Sequence, residues 1–137
     1  MTLRILLAGQ NQKNTALLRQ ALAKLDSDII RAPGMSLALF LAKKNQPHLV
    51  ITDLELMDGD GLSLKQEMAL DPQLKNMPFI FLLAKKPAAA LEKRLLASGA
   101  QNIVLNTSAA QELLAAIGKL IKKEHLPLTR GEDETTE

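Results

Sequence analysis

The alternation of two hydrophobic patterns along this chain of 137 residues is its most restrictive feature. Short apolar runs alternate with longer segments in which apolar residues recur every three or four positions, as in amphipathic helices. The short runs predict five strands, with the sequences LRILLA, DSDIIRA, HLVITD, PFIFLLA and QNIVL. Strands that alternate with helices are typical of a parallel sheet, because parallel neighbours need a long crossover connection.

A segment with helical periodicity follows each strand, and capping or breaking residues mark the helix ends. Asn11 is placed to cap the first helix, and Pro33-Gly34 interrupts the chain before the second. The third ends near Asp71-Pro72, because proline cannot continue the helical hydrogen bonds. Pro87 suits the first turn of the fourth helix and Gly99 its end. The five segments are QKNTALLRQALAKL, MSLALFLAKKN, LSLKQEMAL, PAAALEKRLLAS and SAAQELLAAIGKLIKK.

Two finer predictions concern the first and last helices. At the start of the last helix, Ser108 and Gln111 have the spacing of a capping box. Helical periodicity also predicts which side of the first helix is buried. The predicted buried face consists of Ala16, Leu17, Gln20, Ala21 and Leu25.

Length and hydrophobic content predict one globular domain. A chain of 137 residues with 47% hydrophobic composition is long enough for one globular domain with a sizeable core and too short to expect two domains. The third and fourth strands are apolar on both faces, as expected of central strands in a helix-covered sheet. We predict an α/β fold over residues 1–123, a doubly wound five-stranded parallel sheet with five helices of the flavodoxin-like type. Residues 124–137 are predicted to form a solvated tail or linker.

Composition argues against several classes of function. The chain has no cysteine and two histidines without ligand-like spacing, which argues against a disulfide framework or a thiolate metal site. Its apolar runs are too short for a signal peptide or a membrane span, so we expect a cytoplasmic protein that does not bind membranes. Lysines and arginines are scattered, and three phenylalanines are the only aromatic residues, so we expect no nucleic-acid binding by this chain alone.

The stretch QPHLVITDLELMDGDG contains the most distinctive candidate site. Asp53 stands where the third strand ends, and reactive groups in doubly wound sheets collect at the carboxyl ends of strands. Asp58 and Asp60 alternate with glycines, a pattern typical of tight turns, and the glutamate of a calcium-binding loop is missing. The AGQN segment after the first strand lacks the glycines of a phosphate-binding loop.

Residues 3–123 resemble the receiver domain of bacterial response regulators, the phosphoacceptor modules of two-component signalling. The resemblance rests on PHLVITDLEL, on Asp60-Gly61, on MPFIFLLA and on ASGAQNIV. It implies the receiver form of the flavodoxin-like fold and a histidine kinase as a possible partner. It also implies a protein-binding surface on the fourth helix, fifth strand and fifth helix, where another protein or a second copy of this chain could pack.

The resemblance further implies five functional features, of which only the acceptor aspartate is retained. The two acids that hold magnesium in the family correspond to Gly9 and Gln10. The threonine or serine at the end of the fourth strand corresponds to Leu83. The lysine that ends the fifth strand corresponds to Asn106, and the aromatic switch residue within that strand to Ile103.

These replacements remove most of the chemistry of phosphoryl transfer, which depends on positioning and on neutralisation of charge. Without two acids the cation site loses most of its negative charge, and Asn106 removes a positive charge. Leu83 removes a hydroxyl, and together with Ile103 it should fill the path along which a threonine and an aromatic ring would move. We therefore predict a degenerate receiver that is not an enzyme, has no cofactor and acts mainly through protein contacts.

Asp53 leaves two interpretations open. It could be a structural residue that ends a strand and caps loop amides. Alternatively, it could accept phosphate from a histidine kinase, with magnesium held weakly by Asp53 and Glu55 and with Lys85 supplying the missing charge. Lys85 could equally be solvated or paired with Glu55. A third class, a small flavodoxin-like enzyme or nucleotide binder, lacks a supporting glycine-rich loop, catalytic dyad or metal cluster in the sequence.

Overall fold

Five parallel strands form one sheet, as predicted. The computed structural model describes residues 2–99 and 102–121. The strands of the sheet are β1 (Leu3–Ala8), β2 (Ser27–Ala32), β3 (Leu49–Thr52), β6 (Phe79–Leu83) and β7 (Asn102–Leu105). They lie in the order β2-β1-β3-β6-β7, so the chain reverses its direction across the sheet at β1 and β3. The loops that follow β1 and β3 are therefore neighbours at the carboxyl edge, where doubly wound sheets carry their sites.

Five helices connect and follow the strands: α1 (Gln12–Ala21), α2 (Met35–Asn45), α3 (Gly61–Ala69), α4 (Ala89–Ala97) and α5 (Ala110–Leu120). Asn11 caps α1 as predicted, since its side-chain oxygen accepts hydrogen bonds from the backbone of the first turn. Gly99 follows α4 with φ +99°, the left-handed conformation predicted for it. Within residues 2–99 and 102–121, no helix is long and apolar enough to cross a membrane.

Two predictions about helix starts were wrong. The residue that caps α5 is Ala109, which has no side-chain acceptor, so Ser108 and Gln111 do not form a capping box. The Ser108 backbone N–H instead donates to the Leu105 carbonyl oxygen, which places Ser108 in the turn that leaves β7. Helix α4 begins at Ala89, and Pro87 therefore precedes the helix rather than lying in its first turn.

The predicted buried face of α1 was also partly wrong. Leu17 and Ala21 are buried as expected, but Ala16 and Gln20 are exposed. The helix ends at Ala21, and Leu25 lies beyond it, packed half-buried against the core. The face that meets the sheet is rotated toward residues that the prediction omitted. It contains Asn14, Thr15, Leu17, Leu18 and Ala21.

The sheet separates two hydrophobic cores. One face of the sheet packs against α1 and α5, with Leu18 and Ile117 at the centre of the contact. The other packs against α2, α3 and α4, with Leu64 and Leu95 among its buried residues. Every residue of β3 and β6 is buried, which confirms the prediction that these two strands are central.

A short hairpin between β3 and α3 was not predicted from the sequence. Its strands β4 (Glu55–Leu56) and β5 (Gly59–Asp60) pair antiparallel. Asp60 caps α3, because its carboxylate accepts a 2.7 Å hydrogen bond from the Ser63 backbone. Asp58, at the turn of the hairpin, instead accepts hydrogen bonds from the backbone N–H groups of Met35 and Ser36. The turn interpretation of Asp58 was thus incomplete, because this side chain caps the start of α2 from a distant part of the chain.

Candidate functional site

Asp53 lies directly after β3, beside the residue that follows β1. Its backbone N–H donates to the Ala8 carbonyl oxygen at 3.0 Å, so the two strand ends are held together. Gly9 has φ +123°, a conformation that favours glycine. A Cβ atom on Gly9 would lie 2.8 Å from the Asp53 Cβ atom and 2.8 Å from its Oδ2 atom. The backbone after β1 therefore packs against Asp53 with no room for a side chain.

The Asp53 side chain receives hydrogen bonds from neutral groups. Asn14 Nδ2 donates to Asp53 Oδ1 at 3.0 Å, and the backbone N–H of Asn11 also donates to the carboxylate. Partial burial raises the pKa of Asp53 above its ordinary value. The two hydrogen bonds oppose that rise in pKa, while the negative charge of Glu55 adds to it.

Asn14 joins Asp53 to the end of β7. The second hydrogen of Asn14 Nδ2 is directed to the Leu82 carbonyl oxygen at 3.1 Å. Asn14 Oδ1 accepts from Asn106 Nδ2 at 2.8 Å, and the Asn106 backbone donates to the Leu83 carbonyl oxygen at 2.7 Å. Asn14 and Asn106 are only 2% and 8% exposed. Buried amides with these partners form a satisfied polar network beneath the carboxylate.

Sequence reasoning missed Asn14, although a signal was present. In a helix, position 14 shares a face with Leu17, Leu18 and Ala21, so Asn14 is a polar residue in a core-facing position. Such a residue requires a buried hydrogen-bond partner. The predicted face of α1 included the exposed Ala16 and Gln20 instead of Asn14 and Leu18, and Asn14 was therefore overlooked.

An open cleft of about 620 Å³ lies over Asp53. Its walls bring together five of the residues singled out in the sequence, namely Gln10, Asp53, Glu55, Leu83 and Lys85. Asn106 lies outside the cleft lining, since its side chain is turned toward Asn14. Ile103 also lies outside it, within β7 and beside Phe81 of β6.

Two apolar residues occupy the positions where the resemblance implies a hydroxyl and an aromatic ring. Leu83, at the end of β6, is 4% exposed. Ile103 is half-buried and belongs to the same hydrophobic core. Neither side chain can form a hydrogen bond, and Leu83 gives the cleft beside Asp53 an apolar wall on this side.

Lys85 is exposed and lines the cleft that contains Asp53. No ion pair joins it to Glu55, and the only ion pair between described side chains is the 3.1 Å contact of Lys43 with Asp71. The solvated alternative for Lys85 is therefore the one the structure adopts. Its position on the rim still leaves its ammonium group free to meet an anion that enters the cleft.

The cleft lining offers two acids that could act as ligands of a magnesium ion, Asp53 and Glu55. Magnesium is usually held by carboxylates in a near-octahedral arrangement. In the part of the chain that the structure describes, no three acidic or histidine side chains are grouped closely enough to hold a metal ion. Gly9 contributes no ligand, and the 2.8 Å approach of its position to Asp53 leaves no space for an acid there.

Comparisons with known proteins agree with this architecture. The family model described as "Response regulator receiver domain" matches residues 5–118. The chain belongs to the receiver-domain family of response regulators. This receiver is 28% identical to the probable chemotaxis protein CheY of Rhizobium etli over 84% of its own length and 89% of that protein. It is 27% identical to the polar-differentiation response regulator DivK of Brucella ovis over 61% of its own length and 68% of that protein.

Solved structures support the receiver fold. The chemotaxis response regulator CheY4 of Vibrio cholerae superposes with a TM-score of 0.77 at 16% identity, covering 88% of this receiver and all of that chain (100%). A response regulator from Desulfuromonas acetoxidans has a TM-score of 0.73 at 29% identity, covering 85% of this receiver and 94% of that chain. These similarities confirm the prediction of a flavodoxin-like receiver fold.

Proposed function

We propose that this receiver acts in signal transduction through protein contacts and not as an enzyme, with Asp53 kept in a pocket that disfavours phosphorylation. One observation carries the proposal: the side-chain donor to the Asp53 carboxylate is the neutral amide of Asn14. A phosphoryl group added to Asp53 would bring additional negative charge, and charge neutralisation is the main catalytic requirement of its transfer. Asn106 cannot supply that charge, and it donates to Asn14 instead.

The surface formed by α4, β7 and α5 is the proposed site of protein contact. Two large apolar side chains stand out there, Leu96 on α4 at 48% exposure and Leu114 on α5 at 37%. Gly118 on α5 has no atom within 4 Å of the place where a Cβ would lie, so the helix surface is open at that point. Exposed apolar residues around small residues allow close packing of another helix. The partner would be another signalling protein, with a histidine kinase as one possibility, or a second copy of this chain.

The second candidate function is that of a receiver phosphorylated on Asp53 by a kinase. It is favoured by the open cleft over the carboxylate and by Lys85 at the rim. In that case Lys85 would supply the charge that Asn106 lacks, and magnesium would be needed in a weakly held form.

Intact-mass measurement distinguishes the two candidates. The full chain is incubated with magnesium and acetyl phosphate beside an Asp53→Ala control. No gain of mass, with no change in melting temperature on addition of beryllofluoride, is the expected result. Gain of one phosphoryl group that is absent from Asp53→Ala would replace the first candidate with the second. A Lys85→Ala variant would then test whether Lys85 supplies the charge.

Analytical ultracentrifugation tests the proposed surface with a second copy as the first partner. If the chain self-associates, Leu96→Ser together with Leu114→Ser should weaken the association. Leu70, at the end of α3, is 79% exposed and belongs to none of α4, β7 and α5, so Leu70→Ser is a matched control. Equal weakening by the Leu70 control would argue against the α4-β7-α5 surface.

A further inference from the structure

Three side chains from separate elements form a continuous hydrogen-bonded chain beneath the cleft. Asp53 follows β3, Asn14 belongs to α1 and Asn106 follows β7. Asn106 Nδ2 donates to Asn14 Oδ1 at 2.8 Å, and Asn14 Nδ2 donates to Asp53 Oδ1 at 3.0 Å. We call Asn106, Asn14 and Asp53 the amide relay. It connects the carboxylate at the centre of the sheet edge to the residue that leads into α5.

The orientation of the central amide in this relay is determined by its surroundings. Both hydrogens of Asn14 Nδ2 are used, one by Asp53 Oδ1 and one by the Leu82 carbonyl oxygen. A rotation of the amide by 180° would place its oxygen against these two acceptors and its NH₂ group against the NH₂ group of Asn106. Because Asn14 is 2% exposed, water cannot compensate for such mismatched pairs. The Asp53 carboxylate and the Leu82 carbonyl oxygen together determine which atom of Asn14 faces Asn106.

The amide relay is the direct polar connection from Asp53 to the end of β7, because the other residues considered between them, Leu83 and Ile103, are apolar. Leu83 and Ile103 have no group that could follow a change in hydrogen bonding at the carboxylate. Asn106, by contrast, is tied to the Asp53 carboxylate through one intervening side chain, and its backbone N–H is bonded to Leu83. Hydrogen-bonded groups in a poorly solvated interior polarise and constrain one another, so a change at one end is felt at the other.

We propose that Asn14 is a positioning residue that transmits the state of the Asp53 carboxylate to Asn106 and the β7-α5 junction. Loss of the carboxylate as an acceptor releases one donor of Asn14 and leaves that side of its amide held by the Leu82 carbonyl oxygen alone. The oxygen that Asn14 offers to Asn106 at the start of the turn into α5 is then less firmly positioned. The inference rests on the proposed function in one respect, since the β7-α5 junction belongs to the surface proposed for protein contact.

Side-chain amide signals in ¹H–¹⁵N NMR spectra of the full chain test the relay directly. Asp53→Ala removes the acceptor, whereas Asp53→Asn keeps an oxygen that can accept from Asn14. We expect the Asn106 side-chain signals to move in Asp53→Ala and to remain closer to those of the native protein in Asp53→Asn. In an Asn14→Ala background, the same Asp53→Ala change should leave the Asn106 signals where they are. Movement of equal size without Asn14, or no movement with it, would overturn the proposal.

A second test exchanges the acid and the amide between positions 53 and 14. It remains informative even if one of the single variants folds poorly. Asn14→Asp places a carboxylate beside Asp53 and beside the Leu82 carbonyl oxygen, so its melting temperature should fall steeply. Adding Asp53→Asn restores a donor–acceptor pair between positions 14 and 53, and Asn106 can still donate to the carboxylate introduced at position 14. We expect Asp53→Asn to raise the melting temperature by more in the Asn14→Asp background than in the native protein. An equal or smaller rise in the Asn14→Asp background would show that the relay does not couple these positions.

The relay and the proposed function can be refuted independently of each other, because separate experiments test them. Gain of a phosphoryl group at Asp53 would refute the proposed function while leaving the NMR result intact. Asn106 signals that do not move when Asp53 is replaced would refute the relay, while leaving the unphosphorylated, contact-based function in place.

Discussion

Gly9 and Asp53 approach each other so closely that the first atom of any side chain at position 9 would lie 2.8 Å from the Asp53 carboxylate oxygen Oδ2. The contact joins the residue after β1 to the residue after β3 at the reversal point of the sheet. In the receivers that this chain resembles, the corresponding position carries an acid. Here glycine is required by both the φ of +123° and the closeness of Asp53.

Restoring an acid at this position should therefore destabilise the protein. Gly9→Asp introduces a strained left-handed aspartate, a steric overlap and a like charge beside Asp53. We expect a loss on the order of 3 kcal/mol in the free energy of unfolding, measured by urea denaturation. Gly118→Ala is a matched control, because its Cβ meets no atom within 4 Å on an exposed helix, and it should be about 0.5–1 kcal/mol more stable. Unchanged stability in Gly9→Asp would contradict the steric argument.

Asp53→Asn should raise stability at neutral pH. Burial raises the pKa of Asp53 above 3.8, so the folded protein binds this proton more tightly than the unfolded chain. The native protein therefore loses stability as the pH rises from 3.8 through the raised pKa, and the asparagine variant escapes that loss. Thermal unfolding at a series of pH values should show that the difference in stability between the variant and the native protein grows through this pH range and is constant above it. A variant that is less stable than the native protein at neutral pH would show that the negative charge itself is needed.

Removal of the Asp58 side chain should loosen the start of α2. Hydrogen bonds from the Met35 and Ser36 backbone hold the pKa of Asp58 below its ordinary value, so its charged form is favoured by folding. Stability from this side chain is present above pH 3.8 and is lost as the pH falls through the lowered pKa. Asp58→Ala should speed amide hydrogen exchange in the first turn of α2 and lower the melting temperature. Asp28→Ala, which changes an exposed acid on β2, is the control, and equal exchange in both variants would rule out the cap.

Replacement of Lys65 by methionine should stabilise the protein. Lys65 on α3 is 5% exposed, and its ammonium group lies 5.7 Å from the centre of the Phe79 ring. Burial lowers the pKa of Lys65, so the folded state disfavours its charge despite the attraction of the ring. The advantage of Lys65→Met should be full below the lowered pKa and should shrink as the pH rises toward 10.5. Melting temperatures of the variant and native proteins between about pH 7 and about pH 10 provide the measurement, with Lys75→Met, an exposed change, as control.

Local patterns in the amino-acid sequence were sufficient for the five helices and for the five strands of the parallel sheet, but not for the β4-β5 hairpin. The bounds of α2 were predicted to the residue, and the left-handed Gly99 followed from its place after a helical segment. Periodicity and capping depend on residues a few positions apart, so they can be recognised along the chain. The wrong predictions at Ser108 and Pro87 also concern helix starts, since the Ser108 N–H is used in the turn after β7 and α4 begins two residues after Pro87.

The site required contacts between residues that are distant in the chain. Asn106 and Asn14 are 92 positions apart, and Asp58 lies 23 positions from Met35. Which face of α1 meets the sheet depends on the packing of α5 and the central strands against it, and that packing made Asn14 a partner of Asp53. The sequence contains the polar residues, but their pairing follows from burial, because a buried amide or carboxylate is stable only where the fold supplies its hydrogen-bond partner.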